Sequence, residues 1–368
     1  MIYLDNGATS FHKPPAVYRA VLDAMHSCAN PGRGGYGAAR KAADVVYDCR
    51  EQAGKLFDCL PEQVVLTTSC THGLNVAIRS IVKPGSTVVM SGFEHNAVTR
   101  PLHALNTKIR IAGRKLFDWE DTLESFEKQL DGADAAVFTH VSNVFGYILP
   151  VQQMAAMCRE RNIPFLVDAA QSAGTLPLSL EELGAEFIAM PGHKGLLGPQ
   201  GTGLLLCRNG GVPMLYGGTG SFSRQQNMPE ELPDRLEPGT LNVPGYAGLR
   251  EGLRYLNQTG VERVFLRENA LLQKCIRGLQ NTGMKVFAGP HQAAAVSFLP
   301  GLDCEEAAEE LARRGIAVRA GLHCAPYAHE SAGTLETGTV RVSIGYDTFP
   351  EQIATFLRVI SKMPRFTE

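Results

Sequence analysis

Lys194 lies in Met190-Pro-Gly-His-Lys-Gly-Leu-Leu-Gly-Pro-Gln-Gly-Thr-Gly203, a glycine-dense turn between two apolar runs, Glu186–Met190 and Gly203–Cys207. Neither run alternates polar with apolar residues, so each reads as a short interior strand. An amine on a tight loop between such strands can be desolvated, which lowers its pKa and lets it condense with a carbonyl. A surface lysine on a hairpin would have the same local sequence. Four other polar residues, His95, Asn143, Asp168 and Gln171, each fall just after a predicted strand. Cys324, in Arg319-Ala-Gly-Leu-His-Cys324, adds a candidate thiol nucleophile. Such a thiol needs exposure and nearby positive charge, for which His323 and Arg319 are the candidates.

The elements that must position these groups follow one rhythm. Predicted strands at Gln63–Thr68, Thr87–Met90, Ala135–His140 and Pro164–Asp168 are separated by helical patterns at Val76–Ile81, Asp121–Leu130 and Val151–Arg161. That alternation predicts a largely parallel sheet covered on both faces, in which ligands gather at the carboxyl ends of the strands. Ser69–Asn75 is a small polar turn between a strand and a helix. The amides of Cys70, Thr71 and His72, with the Thr71 hydroxyl, would make a phosphate cup there; Thr71 as an ordinary N-cap reads the same way. The loop Asn30–Gly37 carries four glycines, Pro31 and Arg33. It suits an anionic ligand or a plain connector.

From 210 to 245 the chain is rich in glycine, proline and polar residues, which puts a boundary near Pro244. Beyond it, a long helical region at Tyr246–Gln280, strands at Ala294–Phe298, Ile316–Arg319 and Thr339–Ile344, and helices at Glu305–Arg314 and from Pro350 read as a smaller α+β lobe. The expected division is a large domain over 14–244, with 1–13 and 245–368 forming the small one.

Composition narrows the partners. A chain of 368 residues with 44% hydrophobic and 20% charged residues is an ordinary globular protein. A net charge of -2 gives no general attraction to nucleic acid or anionic membranes. Nine cysteines without a C-x-x-C pair suggest neither a metal site nor a disulfide framework, and point to a reducing cytoplasm. No leader segment and no apolar run approaching the ~20 residues of a membrane span is expected.

Taken in order, Leu4-Asp-Asn-Gly-Ala-Thr9, Thr71-His-Gly-Leu-Asn75, Glu94-His95, Ser142-Asn143, Val167-Asp-Ala-Ala-Gln171, Gly192-His-Lys194, Glu237-Pro-Gly-Thr240, Arg319–Cys324 and Gly338-Thr-Val-Arg-Val-Ser343 resemble the class V aminotransferase group of pyridoxal phosphate enzymes. Within that group they resemble the cysteine desulfurases and selenocysteine lyases. The resemblance implies fold type I: a large domain with a mostly parallel seven-stranded sheet and a smaller α+β domain. It implies that Lys194 condenses with the cofactor aldehyde, gives way to the substrate amine and then moves the α-proton. Asp168 would keep the pyridine nitrogen protonated, His95 would stack on the ring, and Gln171 would bond the ring oxygen. Cys70, Thr71 and His72, with His193 and with Thr240 from a second subunit, would hold the phosphate. Arg341 would bind the substrate carboxylate, with Arg33, Asn143 and Arg319 also at the substrate. Cys324 would take sulfur or selenium as an enzyme persulfide, releasing alanine, for a sulfur or selenium acceptor protein to collect. An aminotransferase or a β-eliminating C–S lyase on the same scaffold is the alternative. Two departures stand out. Pro191 replaces a serine common in related enzymes, and Gly32 and Tyr36 stand where histidines often flank the arginine.

Overall fold

The computed structural model describes residues 1–32 and 34–366. The chain opens with β1 (Ile2–Tyr3), α1 (Pro15–Ser27) and α2 (Gly37–Phe57). An alternating series follows: β2 (Val64–Thr67), α3 (Cys70–Ile81), β3 (Thr87–Ser91), α4 (Asn96–Ala104), β4 (Lys108–Ala112), α5 (Trp119–Leu130), β5 (Ala135–Thr139), α6 (Val151–Glu160), β6 (Phe165–Asp168), the short α7 (Leu180–Leu183), β7 (Phe187–Pro191) and β8 (Gly203–Cys207). The remainder comprises α8 (Val243–Thr259), α9 (Val261–Gln280), β9 (Lys285–Phe287), β10 (Ala295–Leu299), α10 (Cys304–Arg313), β11 (Ile316–Ala317), β12 (Arg319–Gly321), α11 (Pro326–Ala332), β13 (Thr339–Ser343) and α12 (Pro350–Ile360).

Strands β2 to β8 form one seven-stranded sheet in the order β2-β8-β7-β6-β5-β3-β4. Only β8 runs against its neighbours, antiparallel to both β7 and β2; the other paired strands are parallel. Strands β2, β5, β6, β7 and β8 are buried at every position, which explains their unbroken apolar sequences. Successive residues serve opposite faces: Val64 and Leu66 join one core, Val65 the other. The edge strand β4 was not legible, because Lys108-Ile-Arg-Ile-Ala112 alternates polar with apolar residues and only Ala112 is buried.

A four-stranded sheet, β12-β13-β10-β9, and the short pair β1-β11 surround a separate core. The expected single helix over 246–280 is two helices, α8 and α9, broken at Gly260, which adopts φ 83°. A positive φ ends an α-helix, and glycine takes it without steric cost. The expected strand 316–319 is likewise split between β11 and β12, which belong to different sheets. The apolar face of α8 (Val243, Tyr246, Leu249, Leu253, Leu256) packs into the core of the large sheet, whereas α9 contributes Leu271, Leu272, Ile276 and Leu279 to the second core.

One buried ion pair ties the large lobe together. Arg50 of α2 reaches both Glu237 oxygens, at 2.7 and 2.5 Å, and also bonds Val64 O, while Leu66 N donates to Glu237 Oε1 at 2.5 Å. Removing one member of such a pair leaves the other charge buried and uncompensated. Arg50→Ala should therefore lose about 3–5 kcal/mol in urea denaturation. Lys41→Ala, which breaks only the exposed pair with Asp23, should change stability by less than about 1 kcal/mol. Similar losses for the two variants would show that the buried pair is not what anchors this segment.

Candidate active site

Lys194 follows β7, on a turn that must pass very close to the backbone after β6. A Cβ placed on Gly195 would stand 2.3 Å from Ala173 O. The Lys194 turn is also held from the N-terminal segment, where Thr9 and Ser10 both bond His193 O and Ser10 N donates to it at 2.9 Å. Asp168 ends β6, Asn143 follows β5 and His95 caps α4 after β3. The parallel register thus brings the ends of β3, β5, β6 and β7 to one rim.

These groups line a cavity of ≈ 240 Å³. Cys70, Thr71, His95, Asn143, Asp168, Gln171, His193 and Lys194 face it together with Arg319, Cys324 and Arg341, so residues from both sheets share one site. His72 is not among the lining groups; its amide donates to Ser69 Oγ at 3.1 Å, and Ser69, rather than Thr71, caps α3. At this helix start the amides of Cys70 and Thr71 have no preceding intrahelical carbonyl to bond. Thr240 is exposed and lines a different cavity, with Gly32, Arg50 and Glu237. Arg33 lies outside the described residues.

Electrostatics at the rim are set by burial. Asp168 is 2% exposed and forms no ion pair among the described residues; its Oδ1 accepts from Ala170 N at 2.9 Å and faces Cys70 Sγ at 3.6 Å. Desolvation pushes its pKa up and that of Lys194 down. A buried carboxylate without an ion pair among the described residues, beside an amine whose protonated form burial disfavours, fits a ligand that carries both a cationic ring nitrogen and an aldehyde. The unsatisfied amides of Cys70 and Thr71 fit its phosphate. His95, pushed down to about 4 by burial, is a neutral imidazole. Its Nδ1 accepts from Ala97 N at 3.0 Å, which leaves the proton on Nε2.

Arg341 is almost wholly buried. Its Nη2 donates to Asp5 Oδ1 at 2.6 Å and its Nη1 to Asn143 O at 2.8 Å, and its Nε has no partner among the described residues. Asp5 stands in the quoted Leu4–Thr9 motif, but its role was invisible because its partner lies 336 residues away. Cys324 is exposed, the other eight cysteines being buried or half-buried. It follows His323, and both residues have left-handed backbones, φ 51° and 56°. Asn143 Nδ2 bonds His323 O at 2.8 Å and Asn96 N bonds Cys324 O at 2.7 Å, so two hydrogen bonds hold this otherwise costly pair of conformations. The expectation that His323 supplies positive charge is corrected. Burial pushes its pKa down to about 3, so its ring is neutral, and it lies parallel to His329. Arg319 remains as the cation of this loop.

The sequence model of the family described as Aminotransferase class-V matches residues 2–356. A probable cysteine desulfurase of Pyrococcus abyssi is 29% identical over 99% of this chain and 94% of its own length. A probable cysteine desulfurase of Xylella fastidiosa (strain 9a5c) is 30% identical over 99% of the chain and 91% of its own length. Among solved structures, a cysteine desulfurase from Thermococcus onnurineus NA1, described as the apo structure, superposes with a TM-score of 0.89 at 30% identity, covering 98% of this chain and 94% of that one. An Escherichia coli cysteine desulfurase shares the fold at TM-score 0.85 and 23% identity, covering 98% and 94%. The expected fold, type I with a mostly parallel seven-stranded sheet, is the one observed.

Glu94, beside His95, yields a pH test. It is fully buried; its Oε1 accepts from Ser91 Oγ at 2.5 Å and Thr139 N at 2.8 Å, and its Oε2 has no partner among the described residues. Burial pushes its pKa up to about 8. The folded chain then keeps this proton until pH 8, whereas the unfolded chain releases it near the ordinary value of about 4.3. Wild-type stability must fall across that window, a loss Glu94→Gln escapes. In denaturation at pH 5 and pH 8.5 the variant should gain on the wild type by roughly 4 kcal/mol. A difference independent of pH would mean that Glu94 is ionised in the folded protein.

Proposed function

The chain belongs to the class V aminotransferase family, and from that membership we propose that it is a cysteine desulfurase, or a selenocysteine lyase acting by the same route, converting L-cysteine or L-selenocysteine to L-alanine. Enzymes of this type depend on pyridoxal 5'-phosphate. The observation carrying the reading is one cavity shared by Lys194, Asp168 and the exposed thiol of Cys324.

When bound, the cofactor supplies an aldehyde for the substrate amine and a cationic ring that withdraws electrons from Cα. The residues around it divide the remaining work. Asp168 Oδ holds the proton on the ring nitrogen, and that cation in turn relieves the burial of its carboxylate. His95 would cover the ring as a neutral imidazole, and Gln171 would bond the ring oxygen. The amides of Cys70 and Thr71 would hold the phosphate, assisted by His193 and by Thr240 of a second copy of the chain. In this reading the enzyme is a homodimer, which suits an exposed Thr240 that does not line its own chain's active-site cavity. Pro191, at the cavity wall, adds neither a hydroxyl nor an amide hydrogen to that grip.

Arg341, oriented by Asp5 and Asn143, receives the substrate carboxylate, and Arg319, its neighbour across the strand pair, lines the same cavity. The Lys194 amine, whose protonation burial disfavours, removes the α-proton and returns it. Cys324 Sγ bonds to the substrate sulfur as the Cβ–S bond breaks. The electron pair left on carbon takes a proton, alanine departs, and the sulfur stays on the enzyme as a persulfide until an acceptor protein collects it. The chain contains no helix long and apolar enough to cross a membrane among its described residues. A reducing cytoplasm suits this chemistry and the free thiols. We place the lobe boundary at Gly260, since α8 packs with the large sheet.

Cys324→Ala should lose alanine formation from cysteine by at least about a hundredfold, while its visible cofactor absorption and the borohydride-reducible link at Lys194 persist. Retained alanine formation would remove the persulfide step. Pyruvate with ammonia in place of alanine would instead favour a β-eliminating lyase.

A further inference from the structure

A second cavity, ≈ 470 Å³ in volume, lies behind the Lys194 turn. Its walls come from the N-terminal loop, the Lys194 turn, the α8–α9 junction and the loop from Ile344 to Phe349. It shares Gly7, Ala170, Gln171 and Lys194 with the active-site cavity. None of the steps proposed above uses its other polar groups.

Glu268 of α9 faces this cavity at only 6% exposure, without a hydrogen bond or ion pair among the described residues. Asn6 Oδ1 and Asp347 Oδ1, on two other walls, are also buried without partners there. Asn6 cannot easily turn its amide: Nδ2 donates to Ser343 O at 3.3 Å, and a Cβ on Gly345 would lie 2.4 Å from Asn6 Cγ. All three unpartnered groups thus offer oxygen lone pairs. The cations on the walls are Lys194, Arg263 and Arg267. Arg267 donates to the carbonyls of Tyr346 and Thr348 and its charge works against the rise in the Glu268 pKa, Arg263 is exposed, and Lys194 belongs to the active site. His12 lies 3.7 Å from the other oxygen of Asp347, and Lys13 is close enough to feel that carboxylate. Leu197, Leu256 and Val264 supply apolar wall, and Tyr255 and Tyr346 meet edge to face at 5.3 Å.

We propose that this cavity is a binding site for a small organic ammonium ion whose N–H donates to Glu268, whose charge faces the cavity-lining oxygens of Asn6 and Asp347, and whose carbon substituents lie on the apolar and aromatic wall. A buried carboxylate without a partner is costly, and a desolvated ammonium offsets that cost with a charge-assisted hydrogen bond. The aromatic faces add cation–π attraction. Burial pushes the Glu268 pKa up to about 8. The ion binds the carboxylate form, so affinity must rise with pH through that value.

Trimethylammonium is a suitable probe, because a tertiary amine cannot form an imine at the cofactor. Tetramethylammonium matches its charge but has no N–H. The holoenzyme is titrated with each by calorimetry at pH 6.5 and 8.5. Expected are saturable binding of one trimethylammonium per chain at pH 8.5, about tenfold weaker binding at pH 6.5, and about tenfold weaker binding of tetramethylammonium. Glu268→Gln should weaken trimethylammonium binding about tenfold while the visible cofactor absorption is unchanged. Absence of saturable binding to the native holoenzyme, equal affinity for the two ions, or an affinity indifferent to Glu268→Gln would each overturn the proposal. The two-ion and pH comparisons use native protein and remain decisive if the variant does not fold.

Discussion

Desolvation at the carboxyl end of the large sheet is the constraint on which this structure depends. Asp168 and Lys194 are held at the ends of adjacent strands, where burial works against the charge of each. In water an aspartate would be ionised and a lysine protonated. Here the protein is folded around an acid and an amine that both lean towards neutrality, and a ligand bearing one positive ring atom satisfies the first without protonating the second. The sheet makes this possible. Side chains at strand ends need no helix to place them, and parallel strands end on the same rim. His95 extends the pattern, since the same low-polarity surroundings that free the amine also keep the imidazole uncharged.

The thiol requires the opposite environment and receives it from different elements. Cys324 is exposed and sits on a loop between the small sheet and α11, away from the interior strands. Two consecutive left-handed residues cost of order 1–3 kcal/mol each unless their surroundings hold them. Asn143 and the amide of Asn96, both from the large lobe, provide that hold. Asn143 is also bonded to Arg341 through its own carbonyl. One residue therefore sets the relation between the Arg341 guanidinium and the Cys324 loop, across the division between the two sheets.

Sequence alone made the rim legible and left its support obscure. Buried parallel strands announce themselves as unbroken apolar runs, and the polar residue that ends each run is conspicuous; Asp168 and Lys194 were readable for that reason. The edge strand β4 was not, because a half-exposed strand alternates. The break at Gly260 was hidden inside a continuous helical pattern, since one glycine is tolerated in a helix and only its positive φ ends it. Contacts between distant segments carry no local signal, so neither the Asp5–Arg341 pair nor the burial that silences His323 could be read from the residues around them. A histidine beside a cysteine suggests a cation in sequence, but its charge depends on what surrounds it in space.

That long-range pairing also determines how the site comes to exist. Asp5 orients Arg341, Gly7 N donates to Ser343 Oγ, Gln171 Nε2 bonds Gly7 O, and Thr9 and Ser10 hold the His193 carbonyl beside Lys194. The first ten residues thereby form a strap that touches Arg341, Gln171 and the Lys194 turn in succession. Neither lobe contains a complete site without it. Closing such a loop costs entropy that grows only slowly with chain length, so the separation itself is tolerable, but the full set of contacts requires both lobes to be in place. Order at Lys194 and order at Arg341 are consequently linked through a segment that performs no chemistry of its own. The cavity walled by Asn6 and Glu268 lies directly behind that strap. Whatever occupies it bears on the same residues that connect the lysine turn to the guanidinium.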